Sequence, residues 1–475
     1  MEYTTVVGIE IHLELNTNTK MFSGAPYKFK KEANTCVNEV DIALPGTLPC
    51  LNKEAVKKAI SLCLALNLNI DKLIKFDRKN YYYSDLPKGF QITQQFHPIG
   101  SHGYIDIYKN GEYKKIRINR CHMEEDTAKQ FHLNDVTLID YNRSSVPLLE
   151  IVSEPDMSSG EEAALYVDKL RQTFEYLGIS GARMEEGEMR CDVNVSIMPK
   201  GSDKFGTKVE IKNLNSISNV KDAIDFETKR QAMVLESGGE IVQETRRFDE
   251  KTMETVSMRK KEGTVDYKYF PEPNIFPIRI PDSMIEEVKA NLPELPDTKS
   301  KRYLGEYKLS EYDTTNLLAS KKLSDYFDEA MKEAKNPKSL CNLLTSELMG
   351  LLVKANKSID ESPVSAINLA KLSNVLESKE ISSKQGKEVL EEMFNTSKAP
   401  EVIIEEKGIK QVSNEDEILN IVLEVLNENP QSIEDFKNGK DRALGFMVGQ
   451  VMKKSKGQAN PKMASDLLTS ELAKR

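Results

Sequence analysis

The chain has 475 residues, of which 66 are Lys or Arg and 75 are Asp or Glu, for a formal net charge of −9. That balance excludes a uniformly basic nucleic-acid coat protein and confines any nucleic-acid contact to local patches. With 39% hydrophobic and 30% charged residues the composition is that of a globular protein, and the length accommodates about three domains of about 150 residues each. Six cysteines, at positions 36, 50, 63, 121, 191 and 341, form no close-spaced framework, so reduced thiols are expected. The N-terminus lacks the basic and apolar regions of a signal peptide, and no run approaches the roughly 18 apolar residues of a membrane span, so a cytoplasmic location is expected.

Taken in order, the first element is a strand from Val7 to Leu15, in which Val7, Ile9, Ile11, Leu13 and Leu15 alternate with Glu10, His12 and Glu14. A helix is predicted over 54–67, with Val56, Ile60, Cys63 and Leu66 at helical spacing. A second helix follows the capping pattern Ser159-x-x-Glu162, buries Val167, Leu170, Phe174 and Leu177, and stops at Gly178. Two further strands carry polar faces: Arg190, Asp192, Asn194 and Ser196 on one, Lys208, Glu210 and Lys212 on the other. The run Asn291-Leu-Pro-Glu-Leu-Pro296 then punctuates the chain. Beyond it the period becomes helical, as in the stripe Leu340, Leu344, Leu348 and Leu351; a second break near Lys398-Ala-Pro400 precedes a smaller helical unit that starts with Ile418, Val422, Val425 and Leu426. The fold class expected is α+β.

The chemistry is written on the strands. Asp, Asn, Ser, His and Arg on successive strands suit a sheet floor that holds an anion and a divalent cation, because hard cations take carboxylate oxygens and basic neighbours take phosphate oxygens. A solvent-facing edge produces the same alternation, and a structural role for any one carboxylate stays open. Two more acidic clusters could complete such a site, Cys121-His-Met-Glu-Glu-Asp126 and Pro147-Leu-Leu-Glu-Ile-Val-Ser-Glu154. If the strand through Arg117 and Asn119 runs unbroken, Glu125 shares their face and ranks above Glu124; one β-bulge reverses that order. No Gly-x4-Gly-Lys-Ser/Thr and no Gly-x-Gly-x-x-Gly string follows a strand, so phosphate must be gripped by side chains. No Gly-x-Ser-x-Gly elbow or Cys–His arrangement is found, so the chain is not expected to release its own ammonia from an amide.

At these same residues the sequence resembles the GatB family, the B subunits of aspartyl/glutamyl-tRNA(Asn/Gln) amidotransferase. The resemblance begins at Val7-Gly-Ile-Glu-Ile-His-Leu-Glu-Leu-Asn-Thr17 and continues through Phe76-Asp-Arg-Lys-Asn-Tyr-Tyr-Tyr83, His122-Met-Glu-Glu-Asp126, Met184-Glu-Glu-Gly187 and Arg190-Cys-Asp-Val-Asn194. Glu210-Ile-Lys-Asn-Leu-Asn215, Glu244-Thr-Arg-Arg-Phe-Asp249 and Asp266-Tyr-Lys-Tyr-Phe-Pro-Glu-Pro273 follow, and Phe446-Met-Val-Gly-Gln450 with Gly457-Gln-Ala-Asn-Pro461 resembles the GatB/YqeY tail. The resemblance implies an N-terminal cradle on a mostly antiparallel sheet over 1–292, holding the kinase and transamidase site, a helical domain over 293–405 and a YqeY-like tRNA-binding helical tail over 406–475. It implies a ligase component of a GatCAB heterotrimer, whose other members are an amidase and one small protein. Such a component phosphorylates the side-chain carboxylate of Glu-tRNA(Gln) or Asp-tRNA(Asn) with ATP and Mg²⁺, after which ammonia displaces phosphate. The alternative is a non-catalytic component that presents tRNA.

Carried onto this sequence, the resemblance makes Glu10, His12, Glu125 and Glu150 the expected metal ligands, with Glu124, Asp192 and Glu210 in reserve. Arg190, Lys208 and Lys212 are the expected nucleotide or transition-state contacts, alongside Asp192 and Glu210, and Glu125, Glu10, Arg190 and Lys208 the expected catalytic groups. Tyr81, Tyr82 and Tyr83 suit stacking on an acceptor end or an adenine, or ordinary rim packing. Many relatives carry a cysteine cluster near 21–25 and 34–39 consistent with zinc; only Cys36 remains there, so no zinc is expected. Ser145 stands where the family usually has Gly, which implies strain or a different turn if that position takes φ > 0. Finally, the segment 437–475 has nine basic residues against Asp441, Asp466 and Glu471. Lys440, Arg442, Lys453, Lys454 and Lys456 within it are the expected tRNA contacts.

Overall fold

The computed structural model describes residues 2–27, 31–260, 266–408, 415–437, 442–455, 459 and 461–474. The chain divides into two compact units, Met1–Pro296 and Asp297–Arg475, with the division close to the proline punctuation. The architecture is α+β: strands dominate the first unit and helices the second. Among the described residues no helix is long and apolar enough to cross a membrane.

The first unit is organised by one nine-stranded sheet. Its labelled strands are β1 (Tyr3–Glu14), β4 (Gly100–Lys109), β5 (Glu112–Glu125), β6 (Pro147–Ser153), β7 (Met189–Pro199), β8 (Val209–Leu214), β9 (Glu244–Asp249) and β10 (Glu254–Lys260). The order is β10-β9-β8-β7-β1-β6-β5-β4, with the two-residue strand Asn69–Ile70 at the far edge. All neighbours run antiparallel except β8 and β9. A second, three-stranded sheet has the order β11-β2-β3, where β2 is Asp77–Asn80, β3 is Phe90–Thr93 and β11 is Phe270–Pro271.

Period-two alternation gives the large sheet one apolar face. Ile9, Ile11, Leu13, Cys121, Met123, Leu149, Ile151, Val193, Val195 and Ile211 share a core with α1 (Lys53–Ala65), α2 (Gly160–Leu177) and α3 (Ile217–Glu236). Burying each such side chain contributes on the order of 1.5–3 kcal/mol, which pins the register and with it the opposite, polar face. The helices begin and end where the sequence signals them. Asn52 caps α1 by accepting from the N–H groups of Glu54 and Ala55, and Ser159 caps α2 from Glu162. Gly178 closes α2 at φ +66°. The Glu162 carboxylate does not return to Ser159; it accepts from Ser158 N–H at 2.8 Å and Lys114 Nζ at 2.7 Å.

In the second unit the leucine stripe is present but rotated. A π-helical stretch at Leu343–Leu348 interrupts the helix, so Leu340, Leu344, Leu348 and then Leu352, not Leu351, are buried. One wide turn adds a residue and shifts the phase. Ile418, Val422, Val425 and Leu426 form a separate apolar cluster with Met447, Val451, Leu468 and Leu472.

Ser145 adopts φ +66° and is buried, with its hydroxyl oxygen lacking a partner among the described residues. Its N–H donates to Asp126 O at 2.9 Å and its carbonyl accepts from Met21 N–H at 2.7 Å, so the left-handed turn is held in place. Ser145→Gly is expected to stabilise the chain by about 1 kcal/mol, relieving the left-handed strain and the orphan hydroxyl against a greater loss of chain entropy. Urea titration of the full chain, followed at the first unit's transition, checks the direction.

Candidate active site

The polar face of the large sheet carries the site. Across four strands, register places Arg190 (β7) opposite His12 (β1), His12 opposite Glu150 (β6), and Glu150 opposite His122 (β5). One step away, Asp192 lies opposite Glu10. Side chains directly across antiparallel strands approach closely, so this register builds a line of carboxylates and imidazoles from sequence-distant segments.

At its centre, His12 Nε2 lies 3.3 Å from Glu150 Oε2 and 3.8 Å from Glu124 Oε1. His122 Nε2 lies 3.3 Å from the same Glu150 oxygen and 3.5 Å from Glu124 Oε2. One donor atom each from His12, Glu124 and Glu150 falls within 4.8 Å of the others. Thr93 from β3 donates to Glu124 Oε2 at 3.2 Å and fixes that carboxylate.

Glu124, not Glu125, occupies this cluster, which reverses the order expected from an unbroken strand. Pairing of β6 with β5 passes from Val152–Arg120 to Ser153–Ile118 and skips Asn119. Upstream of this bulge Ile116 and Ile118 enter the core; downstream Cys121 and Met123 do, sending His122 and Glu124 to the polar face. Glu125 turns away. Its carboxylate accepts from Lys88 Nζ at 2.6 Å and from Ile92 N–H at 3.0 Å, and its carbonyl accepts from Gln91 at 2.7 Å.

The electrostatics follow from crowding acids and imidazoles in a half-buried floor. Burial alone favours neutral His122, but Glu150 and Glu124 outweigh it and take the imidazole up to about 10. His12 moves upward in the same way, with burial opposed by its hydrogen bond to Glu150 and the charge of Glu124. Burial acts to raise Glu150, yet His122 and His12 hold it well below the usual carboxylate range. Glu10 is raised, by burial and by the charges of Glu150 and Asp192. Glu14 on the same face reaches about 7 through burial and the nearby Asp126 charge, although Tyr27 OH donates to it at 2.5 Å.

The expected phosphate contacts separate into two kinds. Arg190 donates to Asp126 at 2.7 Å, and Lys212 Nζ lies 2.7 Å from Asp192 and 3.2 Å from Glu210. Both cations already have carboxylate partners: Asp126 for Arg190, and Asp192 and Glu210 for Lys212. Lys208 is exposed and lines a recess of about 270 Å³ together with Gly8, Glu10, Ser153, Asn194 and Phe205. Gly8 leaves the floor of that recess open, since a Cβ there would meet nothing within 4 Å.

Lys79, Lys88, Thr93 and Arg143 border the site without having been singled out in the sequence, and so does Asp126, which the sequence offered only as the end of an acidic cluster. Arg143 donates to the carbonyls of Thr127 and Ala128, at 2.9 and 3.1 Å, and lies 3.6 Å from Asp126. Only the short strands β2 and β3 could have signalled Lys79 and Thr93, and their four-residue lengths carry little periodicity. Tyr81 is half-buried and lies 6.0 Å, ring to ring, from Tyr267, whereas Tyr82 and Tyr83 are exposed. In the tail, Arg442 and Lys453 are exposed, and Lys454 bridges Glu424 at 3.0 Å and Glu428 at 2.6 Å. Lys440 and Lys456 lie outside the described residues.

Comparison with known proteins covers nearly all of the chain. Residues 5–286 match the model of the GatB/GatE catalytic domain, and residues 325–472 match the GatB domain model. The B subunit of the Persephonella marina aspartyl/glutamyl-tRNA(Asn/Gln) amidotransferase is 50% identical over 98% of this chain and 99% of its own length. Its namesakes from Thermoanaerobacter sp. and Oceanobacillus iheyensis are 50% and 49% identical, each over the full length of both chains. The site just described therefore lies in a chain that belongs to the family of aspartyl/glutamyl-tRNA(Asn/Gln) amidotransferase B subunits.

Proposed function

We propose that this chain is the kinase and amide-forming component of a tRNA-dependent amidotransferase. It phosphorylates the side-chain carboxylate of Glu-tRNA(Gln) or Asp-tRNA(Asn) with ATP, then admits ammonia that an amidase partner releases in a complex with one further small protein. Unactivated, that carboxylate is a poor electrophile. Its oxygen attacks the γ-phosphorus, the bond to the bridging oxygen breaks, and ADP leaves with that electron pair; ammonia then attacks the acyl carbon and phosphate departs with the carbon–oxygen pair.

The observation that carries this reading is the His12–Glu124–Glu150 group beside an open recess. Two carboxylates and an imidazole suit a divalent ion such as Mg²⁺ with waters completing its shell. His12, Glu124 and Glu150 would hold that ion, with Glu10 and His122 adjoining, and it would supply charge neutralisation for phosphoryl transfer. The protein residues do the rest. Lys208 faces the nucleotide phosphates, Phe205 and the bare backbone at Gly8 receive the nucleoside, and Arg190 and Lys212 keep the surrounding carboxylates oriented. No structural zinc is assigned. The segment that relatives pin with cysteines is held by a buried Lys20–Asp41 ion pair at 3.0 Å, with Ser23 donating to Asp41 at 2.8 Å.

Arg442 and Lys453 are the described tail cations best placed for tRNA phosphates; Lys454 must first leave its two glutamates. The chain reconstituted with its partners should convert Glu-tRNA(Gln) to Gln-tRNA(Gln) with ATP, Mg²⁺ and glutamine, and ammonium should replace glutamine when the amidase is omitted. Failure of both donors with intact tRNA binding would leave a tRNA-presenting scaffold. Gly8→Leu tests the recess directly. A Cβ there meets nothing within 4 Å, so the fold should persist while ATP affinity falls on the order of 10-fold or more, about 1.4 kcal/mol, measured by titration with a non-hydrolysable ATP analogue.

A further inference from the structure

We propose that Lys79 binds the side-chain carboxylate of the esterified amino acid and presents it for phosphorylation, as the acceptor-side counterpart of Lys208. This assignment rests on the site being a carboxylate kinase. It follows from the placement of β2 and from the partners of the cations around the site.

Lys79 lies on β2 opposite Gln91 of β3. Gln91 donates to the Glu125 carbonyl at 2.7 Å, and Thr93, two residues along the same strand, donates to Glu124 at 3.2 Å. The small sheet thus abuts the Glu124 end of the site, away from the Glu10–Lys208 recess. The ammonium stands 5.0 Å from the Tyr267 ring centroid and 5.9 Å from that of Tyr81, within cation–π range. Asn80, next in sequence, pins the tyrosine segment by donating from its backbone to Tyr267 O at 3.0 Å and from its side chain to Lys268 O at 2.7 Å.

Four other cations that border the site have anionic partners. Arg78 pairs with Glu272 at 2.6 Å, Lys88 with Glu125, Arg190 with Asp126 and Lys212 with Asp192. The Lys79 ammonium has no hydrogen bond or ion pair among the described residues. Aromatic faces restrain an ammonium while leaving its N–H donors available. A half-buried cation restrained by two rings suits an incoming anion, and of the two anions this reaction requires, the nucleotide has the recess and Lys208. The remaining anion is the acceptor carboxylate, whose approach to the γ-phosphate is opposed by charge repulsion that Lys79 offsets.

The test uses the chain in complex with its partners and Glu-tRNA(Gln), without a nitrogen donor, and follows single-turnover formation of the acyl phosphate from ATP. Lys79→Met is expected to slow this step on the order of 100-fold, with unchanged affinity for an ATP analogue and for uncharged tRNA. Lys79→Arg, which keeps the charge, should recover a measurable part of the rate. Normal acyl-phosphate formation by Lys79→Met overturns the proposal, as does a loss explained by weaker nucleotide binding. Equal loss in Lys79→Arg together with a lowered melting temperature in both variants also overturns it, in favour of a packing role. A wild-type complex that forms no acyl phosphate overturns the kinase reading on which the proposal rests.

Discussion

Glu124→Gln should abolish ATP-dependent phosphorylation of the aminoacyl side chain while leaving the fold and tRNA binding intact. The substitution preserves shape and an oxygen for the Thr93 hydroxyl, 3.2 Å away, but removes one of the two charges that the His12–Glu124–Glu150 group offers a cation. Loss of a charged ligand at a phosphoryl-transfer centre costs several kcal/mol, and about 4 kcal/mol corresponds to on the order of a thousandfold in rate. The comparison with Glu125→Gln gives the experiment its force. That variant weakens an ion pair behind the site instead of the site itself, so its single-turnover phosphorylation rate should exceed that of Glu124→Gln at a temperature where both are folded. The reverse order would mean that the strand runs unbroken past Asn119.

The second large effect is on stability. In Glu125, whose side chain is 2% exposed, the charge is met by Lys88 Nζ and the Ile92 N–H. Lys88→Met leaves that carboxylate buried without its cation, a change that costs about 3–5 kcal/mol. Adding Glu125→Gln should restore much of the loss, because removing both charges costs far less than stranding one. Urea unfolding of wild type, single and double variants, monitored on the first unit's transition, measures the coupling. A Lys88→Met protein as stable as wild type would show that water reaches Glu125 in solution.

The contrast between these neighbouring glutamates shows how far the sequence could be read. Alternation along Val7–Leu15 and Arg190–Ile197 was enough to place Glu10, His12, Arg190 and Asp192 on one face, since each strand is regular and half-buried. Glu150, named through the family resemblance, lies on that same face opposite His12. The failure at Glu124 and Glu125 came from one residue, Asn119, which is skipped in the pairing and inverts every side chain beyond it. Nothing in the residues around Asn119 announces a bulge, which is seen only in the pairing with the partner strand. A similar phase slip in the second unit moved burial from Leu351 to Leu352 through a π-helical turn. Ion-pair choice was also hidden. Arg190 and Lys212 looked available for phosphate, but the three-dimensional positions of Asp126, Asp192 and Glu210 occupy them. Conversely, Lys79 is noticed only when Tyr81 and Tyr267, far apart in sequence, come together around it.

In the proposed function the side-chain carboxylate itself attacks ATP before ammonia arrives. The most direct measurement follows oxygen: Glu-tRNA(Gln) labelled with ¹⁸O in the side-chain carboxylate is converted by the complex, and the phosphate formed is examined by mass spectrometry. An acyl phosphate requires one labelled oxygen to leave with each phosphate as the amide forms. Product phosphate free of label, with amide formed normally, would contradict phosphorylation of that carboxylate.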